Sequence, residues 1–516
     1  MKAKGAVMLL LFLTAVSSGC ISVSNTAKPG QLKVYAIIEE KSAIFDVSLF
    51  NISVNGMPIN STDTPVMIFN GKPGQVVLHV TGKVLNWNLG EYHFSRDIIV
   101  SAPIQGNYLV ALEIIHKQGS FSITKDESES GYIGRKLLQR LKESNEKAVT
   151  MWVKENLPAE DRTFKWELSK NRELRYRYME LWKGTENTEY LQAYRDLNYH
   201  IKTLAFLAKT GKLKYQGFKA LLLSMKATDY YYSKWNHPGK KDLILVFSNK
   251  SPYYGALRVE NGPLRSLLPF VYYRARGFNF YPVSALHWAQ IYYEEGEYTT
   301  MLTILNELKP FIEMENCNGT SYAVFHVYFQ FQNSSVPWVS GYAQGMATGM
   351  YALAYNLTED RSYLTLARAF LHSFDVHSGP DVFVASTKYG PWYLEYAYYP
   401  QELVLNGHII ALQGLYYFWE VTGDKHAYQL FQLGAESVKE ALPYFDTGNW
   451  SRYASIYNSS SEFYHRLHIK LLVWLYTKTE DETFLEYAKK WNGYLKERGM
   501  KPEDIAKLLE EMGKSP

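Results

Sequence analysis

Thr358-Glu359-Asp360-Arg361-Ser362-Tyr363-Leu364-Thr365-Leu366-Ala367-Arg368-Ala369-Phe370-Leu371 is the stretch on which the fold turns. Tyr363, Leu366, Ala367, Phe370 and Leu371 recur at spacings of three and four, so a helix over them carries a single apolar stripe, and Thr-Glu-Asp ahead of them reads as its turn. The same pattern returns at Thr422-Gly423-Asp424, and again at Thr479-Glu480-Asp481 followed by Phe484, Tyr487, Ala488, Trp491 and Leu495. Related turns stand earlier, at Lys209-Thr210-Gly211-Lys212 and Glu294-Glu295-Gly296-Glu297. The steps between the later turns match two helices with their connections. A lone helical hairpin leaves its apolar face wet, so five of them are expected to stack and curl into an α/α toroid over residues 190–500.

Upstream of the helices the pattern changes. From residue 31 to 124 short alternating runs such as Leu32-Lys33-Val34-Tyr35-Ala36, Val76-Val77-Leu78-His79-Val80 and Tyr108-Leu109-Val110-Ala111-Leu112 predict an all-β domain, a small sandwich. Residues 125–189 are rich in Lys, Glu and Arg with periodic Leu137, Leu138, Leu141 and Trp152, and read as a charged helical linker. The fold class is therefore mainly α, with an N-terminal β-sandwich ahead of the toroid. Two segments interrupt the helical period: residues 321–332 alternate as a strand, and residues 382–399 form an aromatic-rich hairpin, so both are placed over the mouth of the toroid.

Lys2 and Lys4, the apolar run from Ala6 to Val16 and Ser17-Ser18-Gly19-Cys20 match the three regions of a secretion signal over residues 1–20, with a polar linker at 21–30. Cys20 in that setting is read as a lipid-bearing cysteine, which would tether the chain to the extracellular face of a membrane. Cleavage without a lipid gives a secreted chain. The Asn-x-Ser/Thr sites at Asn51, Asn60, Asn249, Asn318, Asn333, Asn356, Asn449 and Asn458 are permissive of export. With Cys317 the only other cysteine, no disulfide framework is expected. Among 516 residues, 55 Lys and Arg face 51 Asp and Glu, a balance that does not point to nucleic acid. Aromatic residues make up 15% of the chain, 42 of them Tyr, which suits surfaces that stack on and hydrogen-bond to sugars.

The aromatic hairpin runs Pro391-Trp392-Tyr393-Leu394-Glu395-Tyr396-Ala397-Tyr398-Tyr399-Pro400, then Val404-Leu405-Asn406-Gly407. Later come Leu442-Pro443-Tyr444-Phe445-Asp446-Thr447-Gly448, Tyr453 and Glu462-Phe463-Tyr464-His465-Arg466-Leu467-His468. Together with Phe280-Tyr281-Pro282, Trp338-Val339-Ser340, Ala343-Gln344-Gly345 and Trp491-Asn492-Gly493-Tyr494-Leu495, this series resembles the C-terminal catalytic domain of the D-glucuronyl C5-epimerases, from about residue 277 to 495. The resemblance implies a toroidal domain behind β-modules and a groove for an acidic polysaccharide. It places catalytic groups at Glu395, Tyr396, Tyr453 and Tyr464, with Asn406 and Gln344 supporting or lining the site. Beside these, Trp392 and Tyr393 read as packing of the hairpin or as a sugar platform next to Glu395, and Arg452, His465, Arg466 and His468 as further substrate-binding candidates, the histidines alternatively structural. No cofactor or metal is implied, and a homodimer is compatible with it. An arginine that the family carries three residues after its first late tyrosine is Ile456 here, which leaves carboxylate binding to another cation, Arg452 or Arg466.

The chemistry wants such groups. Removing the C5 hydrogen of a uronate builds charge beside a carboxylate, so a cation must neutralise that carboxylate and the enolate must be stabilised. Inversion needs one group to take the proton and another to return one on the opposite face. Tyr453 and Tyr464 are the expected opposed pair, the phenol of one of them lowered toward neutral pH by nearby positive charge such as Arg466 or protonated His465 or His468. Glu395 is a base, or the acceptor that polarises Tyr396 or a sugar hydroxyl. His465 and His468 could also be read as metal ligands, but no third ligand accompanies them at convincing spacing. Two rivals remain at this stage. A polysaccharide lyase shares the carbanion but shortens its substrate, and a glycan-binding surface lipoprotein keeps the groove without chemistry.

Overall fold

The computed structural model describes eight strands between Leu32 and Ser128 and residues 145–185, 187–234, 244–317, 319–331, 334, 336–398, 401–457 and 459–513. The leader, Cys20 and the polar linker lie outside the described residues. The strands are β1 (Leu32–Glu40), β2 (Asp46–Val54), β3 (Met57–Ile59), β4 (Val66–Gly71), β5 (Gly74–Asn86), β6 (Gly90–Ala102), β7 (Asn107–Lys117) and β8 (Ser120–Ser128). They pair as two four-stranded sheets, in the orders β4-β1-β7-β8 and β3-β2-β5-β6. β1 and β7 run parallel, Val34 opposite Tyr108, while the other pairs are antiparallel. The end of β8 occupies residues read as the start of the charged linker; residues 129–144, with Leu137, Leu138 and Leu141, lie outside the described residues, and the next described residues, from 145, are helical.

Three helices follow, α1 (145–156), α2 (Asp161–Thr185) and α3 (Thr188–Lys209). They belong to a compact unit that ends at Lys214 and also takes in Gln330–Val336. Within it Arg175 on α2, 1% exposed, donates to Glu146 Oε1 at 2.5 Å and to Asn171 Oδ1 at 2.6 Å, so a buried charge is matched rather than stranded.

The second unit, Tyr215–Phe329 with Pro337–Pro516, holds the expected hairpins. It opens with α4 (Tyr215–Lys234) and the sheet of β9 (Ile244–Val246), β10 (Leu257–Arg258), β11 (Pro269–Tyr273) and β12 (Gly277–Phe280). The hairpins are α5 (Pro282–Glu294) with α6 (Tyr298–Leu308), α7 (Gly341–Thr358) with α8 (Arg361–Leu371), α9 (Leu405–Thr422) with α10 (Lys425–Phe445), and α11 (Glu462–Thr479) with α12 (Glu482–Glu497), before a terminal α13 (Ile505–Met512). Four of the five predicted turns therefore close hairpins here. The fifth, Lys209–Lys212, falls at the division between the two units.

The repeated Thr-x-Asp turn has a local cause. Thr358, Thr422 and Thr479 donate to the carbonyl four residues back and accept from the amide of Asp360, Asp424 and Asp481. The middle residue takes the left-handed conformation, with φ of 58° at Glu359, 71° at Gly423 and 59° at Glu480. Each Asp then caps the next helix, accepting from Ser362, His426 and Thr483 amides.

Because each hairpin reverses the chain, α5, α7, α9 and α11 run the same way, and α5 meets α7, α7 meets α9 and α9 meets α11. α7 is buried from Gly341 to Ala354 and α9 from Leu405 to Leu415, whereas α8 buries only a stripe that includes Tyr363, Ala367, Phe370 and Leu371. The hairpins thus form a curved double layer, an incomplete α/α toroid with these four helices inside. Gly345 and Gly349 on α7 meet Ala411 and Gly414 on α9 backbone to backbone, because a side chain at either helix would have no room.

At the end where the inner helices begin lie β13 (Glu313–Cys317), β14 (Thr320–Val324), β15 (His326–Val327), β16 (Trp338–Val339), β17 (Val384–Thr387) and β18 (Gly390–Tyr393). β13 pairs with β14, β15 with β16, and β17 with β18, so both segments read as breaks in the helical period are strands. A buried charge cluster holds this end together. His326 Nε2 lies 2.8 Å from Asp381 and its Nδ1 3.0 Å from Glu313, while Tyr322 donates to Asp381 and Tyr328 to Glu313. Burial alone would lower the His326 pKa, but the two carboxylates outweigh it and push it up to about 9. A folded pKa above the unfolded value of roughly 6.5 stabilises fully below that value and is lost as pH rises through about 9. Urea unfolding at pH 6 and pH 10 should therefore differ by ~3 kcal/mol. His326→Asn should flatten that difference, and an unchanged difference would remove the imidazolium from the explanation.

Candidate active site

Glu395 sits where three main-chain links converge. Leu394 N donates to Phe383 O at 2.8 Å, Gly341 N donates to Leu394 O at 2.7 Å, and Ala397 N donates to Val339 O at 3.1 Å. These bonds tie the end of β18 to the start of α7. The carboxyl then lies against the first turn of α9, where a Cβ on Gly407 would stand 2.3 Å from Glu395 Oε2. Glycine at 407 is required by that approach.

Tyr453 reaches the same place from the α10–α11 connection. Leu405 N donates to Tyr453 O at 3.2 Å, Leu403 N to Ser455 Oγ at 3.0 Å, and Ser455 N to Leu403 O at 2.9 Å, so the two connections are stitched side by side. Tyr464 is on the first turn of α11, capped by Ser461. Its position is fixed through Ser451, whose hydroxyl meets Ser460 at 3.0 Å, His465 Nδ1 at 2.8 Å and His468 Nδ1 at 2.9 Å.

The four expected catalytic residues come together. Tyr396 Oη lies 3.3 Å from Tyr453 Oη, the Tyr453 and Tyr464 rings stand 4.6 Å apart between centroids, and the Tyr396 hydroxyl favours the ionised form of Glu395. Glu395 and Tyr396 are buried, each 7% exposed, while Tyr453 and Tyr464 are partly open to solvent. Burial, reinforced by Glu402, pushes the Glu395 carboxyl up to about 8. Burial and the Glu395 charge raise the phenols of Tyr453 and Tyr464, and hydrogen bonds along the chain only partly oppose this. The expectation of phenols lowered toward neutral pH is corrected here: carboxylate, not cation, is the charge that acts on them.

A second correction concerns opposition. The rings of Tyr453 and Tyr464 are 4.6 Å apart between centroids, so no sugar ring fits between them. The Ser451 hub draws both ends of the 451–464 segment together, and the two side chains leave it on one side.

The expected binding groups divide differently. Arg452 stacks on Tyr444, 5.1 Å from its centroid, and donates to Tyr444 O; Arg466 is paired with Glu462 and Glu503, each at 2.8 Å. Neither cation is drawn to the phenols. His465 lies between Ser451 and Trp491 O and stacks on Trp450 at 3.6 Å, and burial lowers it to about 4 and His468 to about 3. Both are neutral framework groups, sharing a serine rather than a metal. Among the described residues no three His, Cys, Asp or Glu side chains converge as a metal site.

Gln344 accepts from Phe325 N and donates to Ala323 O and Ser373 Oγ, clamping β14 to α7 from the core. Trp392 is sealed between His408 and Phe445, and Tyr393 donates to Leu430 O from full burial, so neither is a sugar platform. Asn406 is buried on the first turn of α9, next in sequence to Gly407, with an Oδ1 that makes no hydrogen bond.

Other side chains complete the site that the motifs did not single out for it. Tyr273, Tyr281 and Tyr342 all feel the Glu395 charge, and Tyr273 and Tyr342 also feel Tyr464. Tyr273 is acted on in turn by Arg276, at the turn between β11 and β12. Tyr281 and Tyr396 both pack on Trp338. The one signal available was positional: Tyr281, Tyr342 and Tyr464 each stand at the start of an inner helix.

These features define a layer of helical hairpins whose inner helices begin around one buried carboxyl and a group of phenols, an arrangement able to hold and pass a proton. Residues 318–493 match the family described as D-glucuronyl C5-epimerase C-terminus. An uncharacterised protein of Methanocaldococcus jannaschii is 32% identical over 39% of this chain and 68% of its own. The D-glucuronyl C5-epimerase of Caenorhabditis elegans is 31% identical over 30% of this chain, and the match spans 29% of that enzyme. Through this domain the chain belongs to the D-glucuronyl C5-epimerase family. Among solved structures, cellobiose 2-epimerase from Bacillus thermoamylovorans aligns with a TM-score of 0.33 and 13% identity, covering 59% of this chain and 75% of that one. The GH76 α-mannanase BT2949 of Bacteroides thetaiotaomicron aligns at 0.31 and 14%, covering 42% and 59%. Scores this low carry neither function nor fold across.

Proposed function

We propose that this chain is a uronyl C5-epimerase that inverts C5 of hexuronate residues in an extracellular acidic polysaccharide. The observation that carries the reading is the convergence of Glu395, Tyr396, Tyr453 and Tyr464, with Tyr396 and Tyr453 hydrogen-bonded at 3.3 Å, buried at the carboxyl end and partly open to solvent at the phenolic end, within a segment that matches the epimerase family. Phenols with raised pKa hold no phenolate at neutral pH, so none of them is a base alone. A relay removes that difficulty. Tyr464 Oη takes the C5 proton while its own proton passes to Tyr453, that of Tyr453 to Tyr396, and that of Tyr396 to the Glu395 carboxylate. The C5–H electron pair moves into the substrate carboxyl as an enolate. Every phenol ends neutral, and Glu395, with its pKa near the working pH, stores the proton.

The substrate carboxylate still needs a cation. With Ile456 55% exposed and Arg452 and Arg466 engaged elsewhere, Arg276 takes that role: its charge reaches Tyr273, which is in electrostatic contact with both Tyr464 and Glu395. The remainder of the reading is architectural. The two N-terminal sheets form a sandwich ahead of the toroid, and the leader exports the chain and tethers it through a lipid on Cys20.

Incubation with glucuronate-containing polymers in heavy water, followed by NMR, tests the function. Deuterium at C5 together with iduronate signals is the expected result. Shortened chains with a new ultraviolet-absorbing double bond would replace it with a lyase, and tight binding without exchange would replace it with a binding protein.

A further inference from the structure

The sheet that opens the second unit leaves a cavity of about 360 Å³ beside the first hairpin, and none of the side chains that line it belongs to the group around Glu395. Three segments wall it: Phe247 and Ser248 just past β9, residues 261–267 between β10 and β11, and Glu307 on α6, the outer helix of that hairpin. The walls are held in place. Phe247 is 5% exposed and meets Tyr230 and Phe270 edge-on, with ring centroids 5.4 and 5.8 Å away. Val259 N donates to Val246 O at 2.8 Å and so ties down the start of the loop. At its end Glu307 Oε2 accepts from Ser266 Oγ at 2.7 Å and from Leu267 N at 2.9 Å.

The polar groups of these walls are unequally used. Ser248 Oγ accepts from Lys250 N at 3.1 Å, and Ser266 is spent on Glu307. Arg265 and Asn261 line the same cavity, both exposed, and neither has a hydrogen-bond or ion-pair partner among the described residues. Both hydrogen bonds to Glu307 fall on Oε2, which leaves Oε1 as an acceptor. An arginine that shares a cavity with a glutamate and does not pair with it keeps its five N–H donors for a ligand.

That donor set selects a chemistry. A guanidinium matches a carboxylate through two parallel hydrogen bonds. Glu307 offsets the charge of Arg265, so a phosphate or sulfate dianion is disfavoured where a singly charged carboxylate is not. Glu307 Oε1 accepts from hydroxyls, the Asn261 amide both donates and accepts, and Leu264 and Leu267 offer apolar surface to the C–H face of a ring. The volume lies at the small end of the range for ligand sites, about 300–1,000 Å³.

We propose that this cavity binds a hexuronate residue, its carboxylate on Arg265 and its hydroxyls on Asn261 and Glu307, as a second and non-catalytic site that retains the acidic polysaccharide. The lining residues lie outside residues 318–493, which match the epimerase family. The role in retaining substrate rests on the epimerase reading above, whereas the choice of a hydroxyl-bearing carboxylate rests on the cavity alone.

Hydrogen–deuterium exchange of the full chain, with and without a glucuronate oligosaccharide, tests it. The oligosaccharide should slow amide exchange within residues 247–268, while a glucose oligosaccharide of the same length and inorganic phosphate should not. Arg265→Ala should abolish that protection and keep the protection around Glu395. The same variant should raise KM for a long glucuronate polymer about tenfold with kcat unchanged. Wild type without protection at 247–268, protection by the neutral oligosaccharide or by phosphate, or protection that survives in Arg265→Ala overturns the assignment. The two readings fail separately. C5 inversion without this protection removes the second site and leaves the epimerase, and Arg265-dependent protection in a chain that never exchanges C5 hydrogen removes the epimerase and leaves the uronate site.

Discussion

Glu395→Gln should reduce C5 proton removal by at least about two orders of magnitude while leaving the melting temperature unchanged or raised. The reason lies in where the relay ends. A glutamine keeps the shape against Gly407 and can still bond Tyr396, but it cannot accept a proton, so nothing draws the C5 proton through the three phenols. Stability moves the other way, because the buried carboxyl is held up to about 8 by desolvation, and a neutral amide avoids the cost of ionising it in place. The pH dependence follows with a definite sign. Proton removal needs the carboxylate, so kcat/KM for the wild type should rise through about pH 8 and level off above it. A profile that falls through that range would mean the neutral carboxyl is the working form, acting as a donor rather than as the end of the relay.

The largest stability effect is expected at the helix contact that brings two flanks of the site together. A Cβ on Gly414 of α9 would lie 1.7 Å from Gly345 O, and one on Gly345 of α7 would lie 2.5 Å from Ala411 Cα. Backbone is the obstacle in both cases, so no rotamer relieves it. Gly414→Ala should therefore cost more than ~3 kcal/mol, or prevent folding. Gly493 on α12 provides the contrast, since no atom lies within 4 Å of its virtual Cβ; Gly493→Ala should be neutral or stabilise by up to about 1 kcal/mol. Equal effects at the two positions, read from denaturant midpoints, would show that the close approach of α7 and α9 does not set the stability of the unit.

The hairpins were legible because their turns are chemical: threonine, a residue that tolerates the left-handed region, and an aspartate cap. That Glu395, Tyr396, Tyr453 and Tyr464 belong together was legible as well, since these residues from separate motifs do meet in the structure. What failed was the direction in which neighbours point. Arg466 stands two residues from Tyr464, and on a helix that turns about 100° per residue the two project to nearly opposite sides. Arg466 accordingly meets Glu503, not the phenols. His468 is one turn below Tyr464 on the same face, but one turn deeper is already core. Trp392 and Tyr393 precede Glu395 in a strand whose side chains enter the space beneath α9, so proximity in sequence to a working carboxyl conferred burial rather than contact with sugar. Tyr342 was invisible for the converse reason. It belongs to α7, remote in sequence, and the hydrogen bond from Gly341 N to Leu394 O sets its segment beside that of Glu395.

In the proposed relay Tyr453 stands between Tyr396 and Tyr464, and Tyr453→Phe keeps its ring against Tyr464 while removing the hydroxyl that meets Tyr396. The decisive measurement is the rate at which deuterium is lost from a C5-deuterated glucuronate oligosaccharide in ordinary water, compared between wild type and Tyr453→Phe at equal bound substrate. Interrupting the chain should slow that loss by about a hundredfold or more while oligosaccharide binding is kept. Deuterium lost at the wild-type rate by Tyr453→Phe would mean that the proton leaves C5 by a path that does not run from Tyr464 to Glu395.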